Sequence, residues 1–193
     1  DKPLKQFGLE IIGTPKSIAE AILIKTAWVI LQEEGYTNLS LEINSIGDKE
    51  SLSGFNRDLT NYYRKNLSLL HSECRHAFKN NVFDILSCKH EKCQPIKEKA
   101  PKSINYLSEA SRKHFMEVLE YLETIDISYK INNNLVGKKC CSDTIFAIKN
   151  LDNNNTLAIG VRYNPISKKI GLIKKELPSV GIKVLYNPKK NKK

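Results

Sequence analysis

Cys74, Cys88, His90 and Cys93 are the residues whose types and spacing point most directly to chemistry, because thiolates and imidazoles at short intervals can hold a structural zinc ion. His71 and His76 flank Cys74, and Cys88 and Cys93 form a ligand-like pair with four residues between them. The same pattern fits free thiols packed among helices, since unpaired cysteine behaves as a small buried hydrophobe. Cys140 and Cys141 are adjacent, a placement in which a disulfide closes only with strain. A second set is cationic. Lys65, Arg75, Lys79, Lys89 and Lys113 could track phosphates, a contact that positions RNA without reading its sequence. They also fit the solvated faces of ordinary helices.

The whole chain leans the same way: 31 Lys and Arg against 21 Asp and Glu give a formal charge of +10, which favours an anionic partner. A general bias toward Lys, Asn and Ile explains such a charge equally well. With 193 residues, 40% of them hydrophobic, the chain can bury the core of one or two domains. Its longest apolar stretch, Ile18 to Leu31, is broken by Glu20 and Lys25 and is shorter than the roughly 20 residues that span a bilayer. No membrane partner is expected. Residues 1–6 have neither the basic start nor the apolar run of a signal peptide, and 5 cysteines do not make a disulfide scaffold. A reducing intracellular compartment, cytoplasmic or organellar, is therefore expected.

The elements that must position these residues follow from periodicity and punctuation. Gln6 to Ile12 alternate as a strand, Gly13, Thr14 and Pro15 break it, and Ser17 with Glu20 has the spacing of a capping box. The helix that follows is apolar all round (Ile22, Leu23, Ala27, Trp28, Ile30, Leu31), which predicts cover on most faces, and Gly35 is placed to stop it. Thr37 to Ile46 reads as a half-buried strand. From Gly47 to about Asn134 the chain is charged and helical, with Phe115, Val118, Leu119 and Leu122 on one helix face capped by Ser108. Ile125 to Ile131 reads as a short strand returning to the first unit. Thr144 to Lys149 and Thr156 to Tyr163 read as strands joined by a polar turn, and Val180 to Leu185 as one more. The expectation is an α+β fold: residues 1–47 and 135–186 form the core, 48–134 a mostly helical second domain, and 187–193 a basic disordered tail.

Several segments then fall in a recognisable order. Gln6-Phe7-Gly8-Leu9-Glu10-Ile11-Ile12-Gly13 resembles the end of the second class II motif of histidyl-tRNA synthetases. Ala27 to Leu31, Leu41 to Gly47, Asn81 to Lys89, Ala100-Pro101 with Tyr106-Leu107, and Ser111 to Phe115 resemble successive segments of that family, at family spacing, from Gln6 to about Gly181. The resemblance implies a partial class II synthetase core, an antiparallel sheet with flanking helices, interrupted between Gly47 and Asn134 by the family's helical insertion domain, which approaches the tRNA acceptor stem. A regulatory relative used in histidine biosynthesis shares the core and lacks the insertion.

The resemblance also assigns a histidine pocket. Gln6 and Glu10 match the family's neutral amide and the carboxylate that pairs with the substrate ammonium, and four residues apart on a strand they share one sheet face. Tyr163, in Gly160-Val161-Arg162-Tyr163-Asn164, matches the tyrosine of a glycine-rich segment that the family ends in Arg-Tyr-Asp. The histidine-specific signature, Leu-Val-Arg-Gly-Leu-Asp-Tyr-Tyr in the family, stands here as Leu135-Val136-Gly137-Lys138-Lys139-Cys140-Cys141. Its catalytic arginine has no counterpart, and neither Lys138 nor Lys139 offers the planar fork of a guanidinium. Pro178 to Gly181 resembles the approach to the third motif, but Ile182 to Asn187 carries none of its glycine, glutamate or arginine; the second motif's arginine and the first motif would lie upstream of this chain.

These departures predict a synthetase-like module that does not charge tRNA alone and needs no ATP or magnesium, with zinc as the candidate cofactor. Its expected partners are tRNA or another RNA, free histidine, and a homodimer or larger assembly. A working histidine–tRNA ligase completed by other residues, or a regulatory or assembly subunit, are the alternatives.

Overall fold

The computed structural model describes residues 4–137, 141–171 and 173–187. β1 (Lys5–Ile12), α1 (Ile18–Glu33) and β2 (Leu39–Gly47) open the chain, followed by α2 (Lys49–Lys65), α3 (Ser72–Asn80), α4 (Gln94–Glu98) and α5 (Glu109–Thr124). β3 (Tyr129–Ile131), β4 (Ser142–Asn150), β5 (Asn155–Arg162), α6 (Ile166–Lys169) and β6 (Ser179–Tyr186) complete it. The six strands form one sheet in the order β1-β6-β5-β4-β2-β3. All neighbours are antiparallel except β2 and β3. This is the α+β arrangement that the sequence predicts.

One sheet face is covered by α1 and α5. Leu23, Ile24, Ala27 and Leu31 of α1 pack with Phe115, Val118 and Leu122 of α5 over Leu41, Ile43, Phe146, Ile148, Val180, Ile182 and Val184. Burying one such side chain fully is worth about 1.5–3 kcal/mol, which makes this layer the principal source of cohesion. α1 is less enclosed than its composition predicts: Ile18, Ile22 and Val29 stay exposed, because only one side of the helix meets the sheet and α5. The sequence groups α5 with residues 48–134, and in the structure α5 packs into the sheet's own core, while β3, the short returning strand that the sequence suggests, extends the sheet's edge. An apolar stripe of period 3.6 says that a helix packs, and not on what.

A second apolar cluster lies between α2 and the turn preceding α5. Phe55, Leu59 and Tyr63 of α2 pack there with Leu70, Cys74, Val82, Ile85, Leu86, Cys93 and Ala100. The two clusters are tied by hydroxyl and carboxylate groups at helix starts. Asp48 caps α2 by accepting from the Ser51 amide at 2.9 Å, and the Ser108 hydroxyl, which caps α5, donates to Asp48 at 2.7 Å. Ser111 donates to Asp143 of β4 at 2.8 Å. Burial opposes ionisation of Asp48, but the bonds from Ser108 and Ser51 outweigh it and hold the carboxyl below its usual range. Gly47 makes the turn into α2 at φ 69°, where a Cβ would strike Ser51 and Leu107.

Candidate functional site

The face opposite α1 and α5 carries the residues assigned to a histidine pocket, Gln6, Glu10 and Tyr163. β1 alternates, with Phe7, Leu9 and Ile11 turned to the core and Gln6, Gly8, Glu10 and Ile12 exposed, so Gln6 and Glu10 share the open face. Register sets Glu10 opposite Gly181, and continues across the sheet through Val161 and Ile145 to Asn44. Tyr163, just beyond β5, donates its hydroxyl hydrogen bond to the Glu10 carboxylate. Burial and that carboxylate both push the phenol up from its ordinary value, so it stays a donor through the neutral range. Gly181 makes the contact possible: a Cβ there would lie 2.0 Å from Glu10 Oε2.

The far end of the same row holds Leu135, Val136 and Gly137. Asn44, fully buried, donates to the Leu135 carbonyl at 2.9 Å and so pins the start of that segment. Leu135 and Val136 pack with Val161 around Ile46, Cys141 and Ile145. A Cβ on Gly137 would meet Cys141 Sγ at 2.4 Å and Ile145 Cδ1 at 3.1 Å, so the chain crosses close over the open face. Lys138, Lys139, Cys140 and residues 188–193 of the tail lie outside the described residues. The row therefore brings a carboxylate and a phenol to one end, fit to receive an ammonium, and the Leu135–Gly137 segment to the other. Next to this row, Glu42 accepts from Lys149 at 2.7 Å and from Asn132 at 2.7 Å. Grooves of about 610 and 680 Å³ open beside Lys49, Leu52 and Lys169, the first lined also by Gly137 and the second by Cys141 and Asn164; neither is lined by Gln6, Glu10 or Tyr163.

What fixes Tyr163 was not visible in the sequence. Its neighbour Arg162 is 1% exposed and makes a two-pronged bond to Glu20 of α1, Nε to Oε1 at 2.7 Å and Nη2 to Oε2 at 2.6 Å. Arg162 also donates to the Thr14 carbonyl at 3.2 Å, and His114 Nε2 of α5 lies 2.7 Å from Glu20 Oε1. Burial alone would raise the Glu20 carboxyl, but Arg162 and then His114 hold it below the usual range. The capping box expected from Ser17 and Glu20 does not form. Ser17 makes no side-chain cap and donates instead to Glu117 at 2.6 Å, because Glu20 turns inward to the guanidinium. The available signal was Glu20, an acidic residue set among apolar ones in the first turn of the helix, which demands a partner once buried.

The thiols converge as well. Cys74, Cys88 and Cys93 place their sulfurs within 4.8 Å of one another. His90 does not join them: it is exposed, its Nδ1 accepts from the Lys92 amide at 3.3 Å, and its ring stacks on His71 with centroids 3.8 Å apart. Burial of Cys88 is outweighed by the bonds from the Cys74 thiol and the His90 amide, which hold its thiol below the usual range, while burial and the other thiols raise Cys74. Lys65, Arg75, Lys79 and Lys89 are exposed around this helical cluster, and Lys113 is exposed on α5.

No family model matches the chain. Its fold has solved counterparts. The apo histidyl-tRNA synthetase of S. aureus superposes with a TM-score of 0.68 at 26% identity, over 93% of this chain and 44% of that one. An ATP phosphoribosyltransferase regulatory subunit/histidyl-tRNA synthetase from Bacillus halodurans C shares the fold with a TM-score of 0.59 at 19% identity, over 93% of this chain and 51% of that one. The sheet, its flanking helices and these counterparts define a class II aminoacyl-tRNA synthetase fold. The histidine–tRNA ligase of Clostridium novyi is 34% identical over 177 residues, 91% of this chain and 42% of that protein. That of Fervidobacterium nodosum is 35% identical over 179 residues, again 91% and 42%. Within the class, the chain is a homologue of part of those histidine–tRNA ligases. It spans about two fifths of the length of the curated relatives it matches. Among the described residues, no helix is long and apolar enough to cross a membrane.

Proposed function

We propose that this chain is a histidyl-tRNA synthetase-like module that retains one side of a histidine pocket and does not form histidyl-adenylate by itself. The observation that carries the reading is the open-face row: Glu10 and Tyr163 are bonded over Gly181 at one end, and Leu135-Val136-Gly137 crosses at the other. A substrate ammonium would replace the phenol's claim on part of the Glu10 carboxylate, with Gln6 orienting it on the same face. No arginine stands between Leu135 and Cys141, so the charge that develops on a carboxylate and an α-phosphate would lack its fork of donors. Loss of one such donor costs about 2.7–4 kcal/mol in barrier, a factor of 10²–10³ in rate. Residues 48–134, with their exposed Lys65, Arg75, Lys79 and Lys89, supply the insertion-like surface for tRNA or another RNA.

Calorimetric titration with histidine tests the pocket. Binding that disappears in Glu10→Ala, without loss of the folded far-UV spectrum, is the expected result; equal binding by Glu10→Ala removes the pocket assignment. Pyrophosphate exchange dependent on histidine and ATP tests the deficiency, and clear exchange by the 193-residue chain would overturn it.

A further inference from the structure

The geometry points to a structural zinc site in the helical cluster, with Cys74, Cys88 and Cys93 as three thiolate ligands and His71, rather than His90, as the fourth. Three separate pieces of chain meet there: the first turn of α3, the stretch after the turn at 82–87, and the residue before α4. Cys93 is fully buried and Cys74 is 4% exposed. Their sulfurs lie 3.5 Å apart, and Cys74 and Cys88 2.6 Å apart. Tetrahedral zinc with bonds of about 2.3 Å sets its sulfurs roughly 3.8 Å apart, so one pair already fits and the other needs to open by about 1 Å.

Two features around the thiols suit a metal better than a plain apolar cluster. The His71 amide donates to Cys93 Sγ at 3.4 Å and the His90 amide to Cys88 Sγ at 3.4 Å, the kind of N–H···S support that steadies metal-bound thiolates. Two buried polar atoms of residues that neighbour the thiols, His71 Nδ1 and Tyr63 Oη, have no hydrogen-bond partner; the His71 ring lies outside the 4.8 Å group of sulfurs and would have to turn in to join it. Buried polar atoms of native proteins are nearly always satisfied, and an ion that draws in His71 Nδ1 and leaves thiolates to accept from Tyr63 satisfies both. His90 Nδ1 is already engaged by Lys92, and the His90 ring braces His71 by stacking. Three thiolates and a neutral imidazole leave one net negative charge around Zn²⁺. Lys97, whose Nζ donates to the Cys88 carbonyl at 2.6 Å, stands next to it. A Cys74–Cys88 disulfide would use two of the sulfurs and leave Cys93 and both orphan atoms unexplained.

Elemental analysis of the 193-residue chain, purified without chelators, should give about one zinc per chain. Loading with Co²⁺ should produce the visible bands of tetrahedral thiolate coordination, and a chelator should abolish them and lower the unfolding midpoint. Because Cys93 is fully buried and its replacement by Ser perturbs the core itself, the histidines carry the finer test by competition with a chromogenic chelator. His71→Ala is expected to weaken zinc at least about tenfold, and His90→Ala less than about threefold. Metal-free protein that takes up neither ion, or a Cys74–Cys88 disulfide found by mass spectrometry in the freshly purified chain, overturns the site. The reverse order of the two histidine variants overturns the choice of His71.

Discussion

Glu20→Ala leaves the Arg162 guanidinium, 1% exposed, with the carbonyls of Thr14 and Lys16 as its remaining partners among the described residues, beside a largely apolar layer. Removing one member of a buried, two-pronged ion pair typically costs about 3–5 kcal/mol, because a charge stays buried without compensation. A chain of this size loses roughly 2–4 °C of Tm per kcal/mol, so the midpoint should fall by about 6–20 °C. Urea unfolding followed by circular dichroism gives the free energy directly. A second variant separates charge from packing: Glu20→Leu combined with Arg162→Met fills similar volume without burying charge, and should recover most of the loss. The pair also sets an acid limit. The folded Glu20 carboxyl lies below the ordinary 4.5, so its contribution is complete above the unfolded value and fades as pH falls through the lower folded one. A Glu20→Ala loss under about 1 kcal/mol, or a loss that the double variant fails to relieve, would refute the claim that this ion pair anchors the end of β5.

Other substitutions probe the open face and the sheet. Gly181→Ala puts a methyl group 2.0 Å from Glu10 Oε2, and should displace the carboxylate and weaken histidine at least about tenfold with little change in Tm; unchanged calorimetric affinity would mean that Glu10 does not bind from this position. Gly160→Ala meets the Phe146 ring at 2.1 Å inside the core, and overpacking of that kind should cost about 1–3 kcal/mol in urea unfolding. Tyr163 ionises only above its ordinary range, so its bond to Glu10 contributes below about pH 10 and fades as pH rises through the higher folded value. Ultraviolet titration reads this directly: Tyr163→Phe should remove one late-ionising phenol, and an unchanged titration curve would place that phenol elsewhere.

Local pattern was enough for the strands and for the shared face of Gln6 and Glu10, because a period of two in the backbone fixes side-chain direction whatever the neighbours are. The ordered segments from Gln6 to about Gly181 likewise carried the family, and the residues standing at Leu135 to Cys141 were legible as letters alone. Tertiary structure decided what touches what. It gave Glu20 to Arg162 and His114 instead of to a helix cap, built α5 into the sheet's core, and set Tyr163 beside Glu10 over Gly181. It also drew three cysteines together and left His90 exposed, its ring stacked on His71. Each of these contacts joins residues distant in the chain, and their closeness depends on register and packing, which no single segment encodes.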